Sequence, residues 1–211
     1  MTYELFYADQ SAAQGVRMIL EELNQDYELI ETDIKSQEPR SPKLLAVNPN
    51  GLVPVLVYEE GAIYECGAIV TFLCDRHSEY GLAPGVNDRQ RGLFLQWLFF
   101  FSSSLQNAFS MTYRANRFSA LESGYPGVQQ QGHNRLIVLW QIVDDAIGEN
   151  SWMLGESFSA VDIYLFMLST WLLDEYKHPD LAKFANVARV AGKVKERPSV
   201  AKVYPGPIGA K

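Results

Sequence analysis

The sequence predicts an α/β domain followed by an all-helical one. Three observations carry this expectation. Over residues 1–80, short β-rich runs alternate with helical patterns. The segment Tyr80–Asp88 then brings Gly81, Pro84, Gly85 and Asn87 together, the composition of a linker. From Arg89 to Val203 apolar residues recur at helical spacing, and no convincing strand remains.

Thr2–Tyr7 alternates and is rich in β-formers, so it reads as a strand. Ser11–Asn24 places Val16, Ile19, Leu20 and Leu23 on one helical stripe. Tyr27–Thr32 reads as a second strand. Ser41 and Pro42 open a short helix to Val47, the serine as cap and the proline in the first turn. Val53–Tyr58, the turn Glu59–Gly61 and Ala62–Tyr64 form a hairpin, and Gly67–His77 a helix. The order β-α-β-α-β-β-α is that of a thioredoxin-like sandwich, with a parallel, right-handed opening βαβ unit and an antiparallel hairpin. The expected division is residues 1–80, a linker over 81–87, and a helical bundle domain over 88–211. Within the bundle, helices are expected over Arg89–Phe109, Gly132–Ile147, Ala160–Tyr176 and Ala182–Lys195. A loop is expected over Ser119–Gly127 and an irregular tail from Tyr204.

Composition narrows the function. A formal charge of −7 argues against nucleic acid, which needs a basic face. It leaves room for a small anion, which a few local cations and a helix N-terminus suffice to hold. The N-terminal MTYELFYADQ has no basic or apolar leader pattern, and no apolar run is long enough to span a membrane. Cys66 and Cys74 form neither a disulfide framework nor a metal-ligand spacing, so a reducing, cytoplasmic setting is expected. His77, His133 and His178 are scattered and pair with no nucleophile. No metal is expected.

Two segments carry chemistry. In Asn48-Pro49-Asn50-Gly51-Leu52-Val53-Pro54, turn dipeptides lead into a strand whose mouth holds a proline. A cis Val53–Pro54 bond turns the Val53 backbone towards an incoming strand-like ligand; a trans bond marks only a strand start. In Tyr64-Glu65-Cys66, an acidic residue precedes a helix N-terminus. That pair suits an α-amino acid end, the helix for its carboxylate and Glu65 for its ammonium. The plain alternative is an acidic side chain favouring the first turn. Further on, Ser159 and Asp162 bracket a capping box before the most apolar helix.

Taken together, these segments and the all-helical second half resemble the glutathione S-transferase superfamily, bacterial beta-like type. The resemblance implies glutathione as co-substrate, with its cysteinyl part along Leu52, Val53 and Pro54. Its γ-glutamyl end would meet Glu65 and Cys66, where the family usually has Ser or Thr in place of the cysteine. Its glycyl carboxylate would meet Lys35 or Arg40, with Lys43 a weaker choice. Gln106 would touch it from the second domain. For the thiol, Ser11 ranks first, a hydroxyl at a helix start, with a plain cap serine as its alternative. Tyr7 ranks second and Gln10 third. Ala12 stands where beta-type members carry a reactive cysteine, and Asp9-Gln10 replaces the usual Pro-Gly.

The resemblance thus implies a transferase that adds the glutathione thiolate to a small hydrophobic electrophile in detoxification. An isomerase or reductase on the same scaffold and a non-catalytic interaction protein are the alternatives. The second-substrate wall would come from Phe99, Phe100, Ser103, Gln106, Asn107, Met111, Tyr113 and Arg114. Arg114 and Arg117 would attract an acidic substrate, or simply form a solvated basic face. A homodimer is the implied assembly, with Phe72, Tyr80 and the Phe94–Phe101 region as its interface.

Overall fold

The four strands expected before Cys66 form and join in one sheet of order β2-β1-β3-β4 in a computed structural model that describes residues 2–34 and 40–206. β1 (Tyr3–Tyr7) runs parallel to β2 (Tyr27–Glu31), and α1 (Ala13–Glu22) makes the crossover that parallel neighbours require. β3 (Val55–Tyr58) lies antiparallel to β1 and continues through a tight turn into β4 (Gly61–Tyr64). Side chains alternate across the sheet. Tyr3, Leu5, Tyr7 and Leu56 enter the main core, against α1 and α3 (Cys66–Arg76). Phe6 and Val55 point to the other face and meet Leu44 of α2 (Pro42–Val47). As expected, Ser41 caps α2, accepting from the Leu44 N–H at 3.2 Å.

The second half is helical: α4 (Arg91–Phe99), α5 (Gln106–Tyr113), α6 (Tyr125–Ile147), α7 (Ala160–Ser169), α8 (Ala185–Lys195) and α9 (Pro198–Val203). The expected single helix Arg89–Phe109 is interrupted by a π-helical stretch, Phe100–Leu105. Ser102 and Ser103 there both donate to the Phe99 carbonyl, at 3.4 and 2.6 Å, and so compete with the backbone ladder. α6 begins at Tyr125, inside the expected loop, because Pro126 sits in the first turn, where its missing N–H costs nothing. α7 ends at Ser169 and not at Tyr176. The hydroxyls of Ser169 and Thr170 take the carbonyls of Phe166 and Met167, and the chain turns away. Beyond the expected helix end at Lys195, Pro198 opens a further short helix, α9. Arg197 and Ser199 at its start grip Glu22 of α1 at 2.6–2.7 Å.

α7 is the axis of the molecule: every residue from Ala160 to Ser169 is buried. The expected capping box is present at its start. Gly15 brings α1 so close that a Cβ there would stand 2.7 Å from the Met167 sulfur. One continuous apolar core therefore runs through both halves. No helix among the described residues is long and apolar enough to cross a membrane.

His178 is neither a surface nor a cap residue, the two ordinary readings of a lone histidine: it is buried at 7% exposure between α5 and the turn after α7. Thr112 spends its own proton on the Phe109 carbonyl, so the His178 Nε2–H donates to Thr112 Oγ1 at 2.9 Å. Nδ1 then accepts the Leu173 N–H at 3.1 Å. Burial holds the imidazole pKa down at about 4. A base depressed in the folded state stabilises above its unfolded value, about 6.5, and loses that stability as pH falls towards 4. Urea unfolding from pH 7 to pH 4.5 should therefore destabilise the wild type more than a His178→Gln variant. Parallel slopes for the two proteins would refute the assignment.

Candidate active site

Between the sheet end of α1 and the helices of the second half opens a cleft of about 890 Å³. Its floor is the β1–α1 loop, Asp9 to Ala12, and its near wall is Leu52 and Val53. The far wall comes from Gln106 and Tyr113 of α5, from Arg114 just after it, and from Trp171 after α7.

The near wall is built by a short asparagine-anchored turn. Asn48 Nδ2 donates to Leu52 O at 2.8 Å, and Asn48 Oδ1 accepts from the Asn50 N–H at 3.1 Å. Gly51 adopts the left-handed φ of 62° that this turn needs. The Val53–Pro54 peptide is cis, one of the two readings its sequence allowed. The ladder of β3 with β1 begins at Val55 opposite Phe6, so the Val53 backbone stands ahead of the sheet pairing, at the cleft.

Ser11 lines the cleft and is 8% exposed. Its hydroxyl donates to Ala8 O at 2.6 Å and accepts the Ala13 N–H at 3.2 Å, so it serves the first turn of α1. The helix itself starts at Ala13, two residues later than the periodicity suggests. Gln10 and Ala12 line the same floor, Gln10 at a left-handed φ of 55°. Tyr7 is separated from the other two thiol candidates. It opens on a smaller neighbouring cavity with Glu31 and Thr32, and its hydroxyl donates to Asp9 at 2.7 Å. Burial, and then the Asp9 hydrogen bond, push its pKa up to about 12, so it stays a phenol.

Glu65 and Cys66 open α3 outside the cleft lining itself. Glu65 is exposed, holds a φ of 74°, and makes no side-chain hydrogen bond or ion pair among the described residues. A non-glycine residue held there stores backbone strain of the kind found at ligand sites. Cys66 is buried, and its thiol points to Ala12 O at 3.6 Å, tying α3 to the cleft floor. Burial pushes both the Cys66 and Cys74 thiols up to about 12, so neither is a ready nucleophile. Gln106 stands at the far wall, where its Oε1 accepts from the Tyr164 hydroxyl.

The cations separate clearly. Arg40 lines the cleft and donates to the carbonyls of Asp33 and Ile34. Lys43 is drawn to Glu4 at 3.5 Å, away from the cleft. Lys35 lies outside the described residues. Of the expected second-substrate wall, Gln106, Tyr113 and Arg114 reach the cleft, and Arg117 joins them. Phe99 is 64% exposed and does not line it. Among the described residues, no cluster of His, Cys, Asp and Glu has the makings of a metal site. Gln14, Thr170, Trp171 and Tyr204 also line the cleft and carried no recognisable sequence signal; only the tertiary packing of α1 against α7 and α9 brings them there.

Comparison with known proteins agrees with this architecture. Residues 5–81 match the family described as glutathione S-transferase, N-terminal domain. The chain is 27% identical to glutathione S-transferase GstA of Escherichia coli O157:H7, over 93% of this chain and 94% of that one. It is 24% identical to the disulfide-bond oxidoreductase YfcG of Escherichia coli K12, over 93% and 91% of the two chains. Among solved structures, a glutathione transferase homologue from Sulfitobacter with bound glutathione superposes at a TM-score of 0.88, with 24% identity over 97% of each chain.

Proposed function

We propose, for a chain that belongs to the glutathione S-transferase superfamily of bacterial type, that it binds glutathione in this cleft and transfers it to an electrophile. One observation carries the reading: the Ser11 hydroxyl, the start of α1 and the open Val53 backbone border a single cleft. In this reading residues 1–80 form the glutathione-binding domain and residues 88–211 the helical domain, with 81–87 as linker. Glutathione lies as an extra strand along Leu52 and Val53. Its ammonium meets Glu65, whose carboxylate has no partner among the described residues. Its γ-glutamyl carboxylate meets the first N–H groups of α3, starting with Cys66. Arg40, a cation of the cleft lining, takes the glycyl carboxylate, and Gln106 reaches across from α5.

The chemistry asked of the protein is small. A thiol of ordinary acidity must release its proton to solvent and become a thiolate at neutral pH. The Ser11 hydroxyl, freed from Ala8 O by a rotation about its own C–O bond, donates to the sulfur. The positive end of the α1 dipole favours the same negative charge. The thiolate then attacks an electrophilic carbon, and the leaving group departs with its electron pair.

Calorimetric titration with glutathione, followed by an ultraviolet scan for bound thiolate, tests the proposal. Binding with a thiolate band at neutral pH is the expected result. Ser11→Ala should keep affinity within about twofold and lower turnover about 100-fold, the size of one lost thiolate donor. Full activity in that variant would move the role to Gln10. Tyr7→Phe should change turnover little, because the phenol faces Asp9.

The similarity to a disulfide-bond oxidoreductase supports a second reading, reduction of disulfides by glutathione itself. The chain's own cysteines would take no part, since both are buried thiols. We further place the protein in the cytoplasm, in a detoxifying role, as a homodimer. Tyr80, Leu93 and Phe99 are the exposed apolar residues suited to that contact. Phe94 and Phe101, expected in the interface, are fully buried in the core and drop out of it.

A further inference from the structure

Resting on the proposed transferase reading, we propose that the second substrate is a planar electrophile carrying a carboxylate, held by Arg117 and Gln14. The cleft holds a polar group that the protein does not satisfy itself. Gln14 is 6% exposed and lines the cleft one turn after Ser11 on α1. Its side chain makes no hydrogen bond among the described residues, and its amide atoms are not sealed from solvent. A carboxamide so nearly buried and left open is built for a ligand's polar group. Trp171 also lines the cleft, but its indole N–H is sealed beneath the surface and takes no part in holding a ligand.

The charge at the mouth agrees. Arg117 lines the cleft, is exposed, and forms no ion pair or side-chain hydrogen bond among the described residues. Arg40 and Arg114 differ, since both donate to Ile34 O on the side expected for the glycyl end of glutathione. Two carboxylates share the lining. Asp9 accepts the Tyr7 hydroxyl on the sheet side, and Glu175 stands exposed beside Tyr113. The rings of Tyr113 and Tyr176 meet edge to face at 4.6 Å, and with Trp171 they line the cleft as planar surface for an aromatic substrate. In the reaction the glutathione sulfur forms a bond to the electrophilic carbon, and the leaving group departs with the bonding pair. The substrate carboxylate stays ionised throughout and only orients the ring.

The test is calorimetric, with para-toluate and its uncharged methyl ester as unreactive probes. Each is titrated into glutathione-saturated and glutathione-free protein. Para-toluate should bind about tenfold more tightly than the ester, as one charge-assisted hydrogen bond predicts. Arg117→Gln should bring that ratio close to one while leaving ester affinity within about twofold. Gln14→Leu, nearly isosteric, should lower toluate affinity several-fold with an unchanged melting temperature. Equal binding of the two probes by the wild type, or a ratio that survives Arg117→Gln, would overturn the inference. Loss of glutathione binding is read separately and would fault the transferase reading, because the toluate-to-ester ratio on glutathione-free protein still decides this one.

Discussion

Asp162→Ala should lower the unfolding free energy by about 3 kcal/mol or more, because it leaves three buried donors without an acceptor. The Met153 N–H at 2.7 Å, the Ser159 N–H at 2.8 Å and the Ser159 hydroxyl at 3.1 Å all end on this carboxylate. The residue is fully buried at the start of α7, the helix that touches both halves of the molecule. For a chain of this length the loss amounts to a drop of about 6–12 °C in melting temperature. Burial pushes the Asp162 pKa up to about 6 despite those three hydrogen bonds. An acid raised in the folded state stabilises most below its unfolded value and loses that contribution as pH rises through 6. The penalty of Asp162→Ala should therefore be larger at pH 5 than at pH 7.5. A penalty that shrinks on acidification, or a variant that melts like the wild type, would refute this account of the cap. His178 titrates with the opposite sign in the same range, so each effect has to be read as a difference between variant and parent.

Glu65→Ala should weaken glutathione binding about 10- to 100-fold, the worth of one hydrogen bond to a charged group. Folding should hardly notice. The side chain is exposed and touches no partner among the described residues. Alanine at a φ of 74° is strained as glutamate is, so the backbone cost cancels between the two proteins. Glu65→Gln, which keeps the acceptor oxygen and loses the charge, should fall between them. Calorimetry and a thermal melt on the same preparations separate binding from stability. Unchanged affinity would remove Glu65 from the site. A large fall in melting temperature would make it a structural residue.

Much of this was legible because the signals are local. The alternation of Thr2–Tyr7, the Ser41–Pro42 start of α2 and the Ser159–Asp162 box each act within a few residues. So does the Asn48 turn that ends in Val53–Pro54. Sequence and structure part where local and distant effects compete. The serines after Phe99 read as ordinary helix until their hydroxyls are seen to crowd one carbonyl. Trp171–Tyr176 is apolar enough for helix, yet the chain leaves α7 there to wrap His178.

The sequence by itself therefore determined the element order, the sandwich followed by helices, the caps and the family resemblance, since each rests on spacing along one stretch of chain. Only the tertiary structure decided which polar groups face the cleft. Tyr7 and Ser11 lie four residues apart, yet one phenol is tied to Asp9 while the serine borders the cleft. Cys66 begins a helix as expected, but its thiol packs inward against Ala12. Gln14, Trp171 and Tyr204 meet one cleft because Gly15 lets α1 press on α7 and because Glu22 anchors α9. Convergence of residues so far apart in the chain is a product of packing, and no periodicity along the sequence encodes it.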